Sequence, residues 1–409
     1  MAPTLPQARP NTDALLERAN KVLIPNYARR PYVFVRGEGC RLFDADGRAY
    51  LDLFAGFGGA VLGHCQPDMV AAVQRQAAEL FHVGNSFHTP PQAAFAETLA
   101  RTAFPGMAFF CHGGADANES AVKLARLRGM ADGGRRWKTV SLVKSFHGRT
   151  LAMIAATGNP KVRQGFGPAV PGFTVVERND DFGAVTAACD DETAAIIMEP
   201  IQGEGGVNEY PEGFAARIRE YCDEQGVTLI FDEVWTGCGR TGKWFGHQHF
   251  AGGITPDVMT LGKAVGGGLP VGVMWAKPEV AKLMQSGTHG STLGGNPVCM
   301  AAANAVFDVI ERDGLLRHAE RLGDVVRERL LGDDAVRPHV REIRGRGLFL
   351  GIELTQPPKA DLVEACMKQG VVVNLTAGQV VRVAPPMNIS EADLLEGLNC
   401  MVAALSEAY

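Results

Sequence analysis

Between residues 117 and 276 the chain alternates between two textures, and that alternation limits the possible folds more than any other feature. Short apolar runs, WKTVSLV (137–143), TAAIIMEPI (193–201), VTLIFDEV (227–234), PDVMTLG (256–262) and PVGVMWA (270–276), have the length and side-chain types of strands. Among them lie ANESAVKLARLRGMA (117–131) and EGFAARIREYCDEQG (212–226), whose apolar residues fall three and four apart, as on one face of a helix. Strands alternating with helices predict a mostly parallel sheet wrapped by helices, an α/β architecture. Beyond residue 296 the texture changes to two long helical patterns, NPVCMAAANAVFDVIER and LLRHAERLGDVVRERLL. The short strands LFLGIEL, GVVVNL and VVRVAPP follow, so this part reads as a second, smaller α+β domain. A chain of 409 residues, 46% hydrophobic and 21% charged, is long enough for two such cores.

Composition removes several function classes. A formal net charge of -5 with no dense lysine and arginine cluster leaves no field for nucleic acid or an anionic membrane surface. No apolar run approaches the ~20 residues of a membrane helix, and the amino terminus MAPTLPQARPNTDALLERAN has no apolar signal core, so a cytoplasmic enzyme acting on small molecules is expected. The nine cysteines are scattered and never form C-x-x-C, which indicates reduced thiols and no metal site.

In an open α/β sheet, ligands bind beyond the carboxyl ends of the strands. Three features fall there. Gly113 and Gly114, in CHGGADANES, precede a helix expected to begin near Ala115, where free N–H groups and the helix dipole suit a phosphate. Asp232 ends VTLIF, and Lys263 follows VMTL without an evident solvated face. A buried lysine is costly as a cation, so its pKa falls and the neutral amine becomes a nucleophile able to form a Schiff base. Pyridoxal phosphate needs such a lysine, a carboxylate on its ring nitrogen and an anion site. Each residue alone has a plainer reading as a helix cap, a snorkelling cation or a tight turn; the three together favour the cofactor.

Two glycine-rich stretches are decoys. GCGRTGKW (Gly237 to Trp244) nearly matches a P-loop, but Trp244 stands where a Ser or Thr must hold magnesium, and no helix is evident after it. GFGGAVLG (Gly56 to Gly63) lacks the spacing of a dinucleotide site.

The ordered motifs FFCHGGADANESAVKLAR, KSFHGRT, EPIQGEGG, FDEVWTGCGRTG, LGKAVGGGLPVG, HGSTLGGNP and RVAPP resemble those of the class III aminotransferases, fold type I pyridoxal phosphate enzymes. SFHGRT and the chain length resemble the acetylornithine and ornithine branch most. The resemblance implies a large, mostly parallel α/β/α cofactor domain at 69–295, a small α+β domain at 296–409, and an amino-terminal segment, 1–68, packing with the small domain. It implies pyridoxal 5'-phosphate, with Lys263 and Asp232 catalytic: the first as the Schiff-base lysine, the second as partner of the ring nitrogen. Gly114 and Ala115 would hold the phosphate through backbone N–H groups, and Phe146 would stack on the ring. Thr292 would reach the phosphate held by the neighbouring subunit of a homodimer with shared active sites. Arg149 would pair with a substrate carboxylate, Ser291 would contact substrate, and Glu204 would mask Arg382 until 2-oxoglutarate claims it.

The activity so implied moves the terminal amine of an ornithine-like donor, acetylornithine favoured, to 2-oxoglutarate. Ornithine, succinylornithine or 4-aminobutyrate are the alternative donors, and a silent regulatory dimer is the alternative use of the scaffold. Four residues in three places depart from the family pattern: His112 with Gly113, His88, and Trp235. The last stands where a glutamine amide donates to the phenolic oxygen of the cofactor; an indole has one N–H and could still donate, or only fill space.

Overall fold

The computed structural model describes residues 12–177 and 180–408, so the first eleven residues, part of the amino terminus read as lacking a signal core, lie outside it. Strands β1 (Phe34–Glu38), β2 (Arg41–Asp44) and β3 (Ala49–Asp52) form an antiparallel meander. The central sheet has seven strands: β4 (Met107–Cys111), β5 (Lys138–Leu142), β6 (Phe173–Val176), β7 (Thr193–Met198), β8 (Thr228–Asp232), β9 (Val258–Leu261) and β10 (Gly272–Ala276), in the order β4-β10-β9-β8-β7-β5-β6. From β6 to β9 neighbouring strands are parallel. Strand β10 runs against both its neighbours, because residues 262–271 carry no crossover helix and are too few to return the chain for a parallel pairing. Every residue of β7, β8 and β9 is buried, which is why these strands read as mostly apolar runs, with threonine their only polar residue before Asp232 closes β8.

Strands β11 (Val340–Arg346), β12 (Phe349–Leu354), β14 (Asn374–Thr376) and β15 (Val380–Val383) make a second antiparallel sheet, ordered β11-β12-β15-β14. The run GVVVNL, expected as one strand, is divided: β13 (Val371–Val372) pairs in parallel with β3, and β14 pairs with β15. The break at Val373 lets one apolar run serve two sheets and ties residues 49–52 to the carboxyl-terminal part of the chain. Strand β11 has no counterpart in the sequence reading; it is an edge strand with four charged residues and only two buried positions.

Helix Gly114–Met130 packs on β7, β9 and β10, its small residues Ala117, Ala121 and Ala125 allowing a close approach. Helix Pro297–Arg312 lies against helices Pro67–Glu79 and Pro90–Thr102, and one apolar cluster runs through Val265, Met300, Val306, Leu322 and Leu350. The hydrophobic core is therefore continuous across residue 296. Among the described residues no helix is long and apolar enough to cross a membrane, and all nine cysteines are free.

Candidate active site

Strand β9 ends at Leu261, and Lys263 opens the turn that follows with φ 47°, an uncommon conformation for a residue with a side chain. The bend continues through Gly267 (φ 58°) and Gly268 (φ 110°), so the backbone turns sharply and leaves the lysine at the strand end. Its amine makes no hydrogen bond among the described residues and sits 4.7 Å from the centre of the Trp235 ring. Burial lowers its pKa to about 8, against the pull of Glu204, Asp232 and Glu199. A cavity of about 410 Å³ opens beside it, lined also by Gly56, His112, Gly113 and Val271.

One strand over, β8 delivers Asp232. Its Oδ2 accepts from Asn118 Nδ2 at 2.7 Å and His147 Nδ1 at 2.8 Å, whereas among the described residues Oδ1 accepts only the Val234 N–H, at 3.1 Å. The carboxylate is 2% exposed and held by two buried side chains, with one oxygen left largely free. Asn118 is fixed in turn, giving its second N–H to His147 O at 2.8 Å and accepting from Thr260 Oγ1 at 2.6 Å. Neither Asn118 nor His147 was singled out from sequence. For Asn118 the available signal was a polar residue on the buried face of a helix rich in small side chains; His147 lies in the loop after β5.

Gly113 caps helix Gly114–Met130. A Cβ placed on Gly113 would meet nothing within 4 Å, so the helix end opens onto the cavity; one on Gly114 would stand 2.7 Å from Val234, and one on Gly262 2.9 Å from Gly114 N. These glycines bring an N-terminus, with its unpaired N–H groups, up to the lysine-bearing turn.

The loop between β5 and helix Leu151–Ala156 carries Phe146 and Arg149. Phe146 is anchored by its N–H to Glu199 Oε1 at 2.9 Å, and that carboxylate also accepts the Gly203 N–H at 3.0 Å. Burial first, and Asp232 second, push Glu199 up to about 7. Arg149 is exposed, lies 5.4 Å over the Phe146 ring and makes no hydrogen bond or ion pair among the described residues. Both line a second cavity of about 590 Å³ together with Glu204 and Thr376.

Arg382, on β15, is fully buried and donates from Nη1 to Glu204 Oε1 at 2.9 Å and to Gly203 O at 3.2 Å, and from Nη2 to Asn374 Oδ1 at 2.8 Å. Burial pushes the Glu204 carboxyl up, but Arg382, Lys263 and the donated hydrogen bonds outweigh it, and the net shift is downward. Trp235 gives its N–H to that same oxygen, at 3.2 Å, and stacks on Phe349 at 5.0 Å and 13°. Of the two uses open to the indole from sequence, it has a third: its donor is engaged by Glu204.

Ser291 and Thr292 line neither cavity. Thr292 is exposed, and the segment is held by Asn85, which donates to Ser291 O and Gly294 O, both at 2.8 Å, and by His289, whose ring contacts Ser120 Oγ at 2.9 Å and Lys123 Nζ at 2.8 Å. His112, exposed, faces Asp116 at 3.3 Å, and His88 is exposed. The P-loop-like stretch is core: Arg240 is fully buried and donates to Leu348 O and Pro385 O, Trp244 stacks on Phe307 at 4.9 Å, and only a short 3-10 turn, Gly246–His249, follows.

A lysine with a depressed pKa, a carboxylate with a free oxygen one strand away and a glycine-fronted helix end beside both fit pyridoxal phosphate in reactive group, ring nitrogen and phosphate. The fold and these fixtures define a pyridoxal phosphate-dependent transferase of fold type I. The model of the family described as aminotransferase class-III matches residues 24–405, and the chain belongs to that family of transaminases. It is 41% identical over 388 residues to the acetylornithine aminotransferase of Caldanaerobacter subterraneus, covering 95% of this chain and 98% of that one. With the acetylornithine aminotransferase of Mycobacterium tuberculosis it shares 43% over 405 residues, 98% of each chain. The ornithine aminotransferase structure from Toxoplasma gondii superposes with a TM-score of 0.92 at 31% identity, covering 97% of this chain and 95% of that one.

Proposed function

We propose that this transaminase moves the terminal amine of acetylornithine to 2-oxoglutarate, as a cytoplasmic homodimer. The observation that carries the reading is the contrast between two arginines: Arg149 is exposed on the cavity with no ion pair among the described residues, whereas Arg382 is masked by Glu204. A donor with one carboxylate needs only Arg149; a dicarboxylate acceptor finds its second cation when Glu204 withdraws. Bidentate guanidinium pairing is the strong mode of carboxylate recognition. The relatives named acetylornithine aminotransferase support the choice of donor.

Within this reading, bound pyridoxal phosphate supplies the electron sink that weakens the C–H bond on the amine-bearing carbon. Lys263 Nζ, whose ammonium form burial disfavours, would accept that proton and later give it back, acting as general base and then acid. Asp232 would hold the ring-nitrogen proton through its freer oxygen, Oδ1, with Asn118 and His147 fixing the carboxylate. Gly114 and Ala115 N–H groups would hold the phosphate, and Phe146 would cover the ring.

Thr292, with Ser291 beside it, serves the partner's site. The exposed apolar side chains Phe57, Phe81, Phe87 and Leu293 give that subunit a surface to cover, and Asn296 Nδ2 links the Phe81 carbonyl to the 291–296 segment at 2.9 Å.

A donor panel against 2-oxoglutarate tests the proposal: acetylornithine should give the highest kcat/KM, ahead of ornithine, succinylornithine and 4-aminobutyrate. Another donor leading would replace acetylornithine; no turnover with any donor would remove the acceptor assignment.

A further inference from the structure

We propose that Trp235 is a latch on the Glu204–Arg382 pair, a fixed N–H donor that holds Glu204 over Arg382 and sets how readily a dicarboxylate acceptor is admitted; the inference rests on the reading of that pair given above. Glu204 Oε1 accepts two bonds at once, from Arg382 Nη1 at 2.9 Å and from Trp235 Nε1 at 3.2 Å. The indole cannot follow a departing carboxylate. It is 4% exposed, stacks on Phe349, and is walled by two glycines: a Cβ on Gly58 would stand 2.5 Å from its Cζ3, and one on Gly203 2.7 Å from its Cδ1.

Arg382 is equally fixed, through Asn374 and the Gly203 carbonyl, and its guanidinium lies 4.4 Å from the indole centre. Glu204 is the movable member, its side chain 27% exposed toward the cavity that Arg149 also lines. It must release two donors before Arg382 is free. Because an indole N–H cannot accept, Trp235 holds the carboxylate but cannot replace it on Arg382. The effect is one-sided. An amine donor without a second carboxylate leaves the latch closed, and 2-oxoglutarate has to open it.

Trp235→Phe keeps a ring to stack on Phe349 and removes the N–H. On the holoenzyme, KM for 2-oxoglutarate should fall, and glutarate, a dicarboxylate with no keto group, should bind more tightly by calorimetry, each by about 3- to 10-fold, the range of one ordinary hydrogen bond, since this one is long at 3.2 Å and its carboxylate is 27% exposed. KM for the amine donor should change less than KM for 2-oxoglutarate. In a Glu204→Ala background the same change should leave glutarate affinity where it was. Phe349→Leu, which loosens the seat of the indole and retains its N–H, should shift glutarate in the same direction and serves if Trp235→Phe does not accumulate. Unchanged or weaker glutarate binding in these variants, or the same gain with and without Glu204, overturns the proposal. Glutarate affinity does not depend on turnover, so a latch that responds in a protein unable to use 2-oxoglutarate would remove only the acceptor assignment.

Discussion

Asp232→Asn separates the charge of the carboxylate from its shape. Oδ2 takes two donors, from Asn118 and His147, and Oδ1 takes the Val234 N–H at 3.1 Å. An amide has one oxygen, which must face the two side-chain donors, so its NH₂ is forced against the Val234 N–H. The lost bond and the opposed donors should cost about 1–3 kcal/mol of stability, the penalty of an unsatisfied buried group. The ring nitrogen of the cofactor also loses its anionic partner. A hydrogen bond to a charged group is worth about 1.5–3 kcal/mol, which at a factor of ten per 1.36 kcal/mol predicts roughly a 10- to 150-fold slower half-reaction. The assay is a single turnover of holoenzyme with the amine donor, following the cofactor absorbance and normalised to cofactor content, so that weaker binding is not mistaken for slower chemistry. A rate within about twofold of the parent at full occupancy would show that no interaction of that size is lost and that Oδ1 does not serve the ring nitrogen.

The remaining predictions concern the cations. Lys263→Ala should lose turnover, and borohydride should fix the cofactor to Lys263 in the parent protein; a label mapped to another lysine would remove the assignment. Because burial disfavours the ammonium, Lys263 sheds its proton near about 8 instead of 10.5, so recapture of cofactor by the apoenzyme should accelerate as pH rises through about 8, and a flat profile there would contradict it. The same shift means that the unfolded chain holds this proton between about 8 and 10.5 and the folded chain does not, so its contribution to stability rises with pH across that window. Arg149→Ala removes an exposed cation that makes no ion pair among the described residues and should leave the melting temperature nearly unchanged while raising the donor KM about 30-fold, the lower end of the loss expected for a charge pair. Arg382→Ala should lower the melting temperature, since Glu204 keeps only the indole donor, at a cost of about 3 kcal/mol reduced by its partial exposure.

What could be read from the sequence follows from how each residue is constrained. Strands β7 to β9 are buried throughout, so no charge interrupts them before their ends; Asp232 stands out as the charge that closes β8, and Lys263 as one two residues beyond β9. Strand β11 has no such mark, since its edge position asks little of its side chains. Pairings set by tertiary packing leave no local trace. Thr260 and Asn118 are 142 positions apart, and Arg382 and Glu204 are 178 apart, so only the family resemblance could couple the second pair and nothing coupled the first. Trp235 combines the two cases: its substitution for glutamine is visible in the chain, but the direction of its N–H is decided by Phe349 beneath it and by the missing side chains of Gly58 and Gly203 around it. A residue whose role is fixed by what is absent from its neighbours can be noticed in a sequence as unusual; its partner, and hence its effect on Glu204, becomes visible only when those neighbours are assembled.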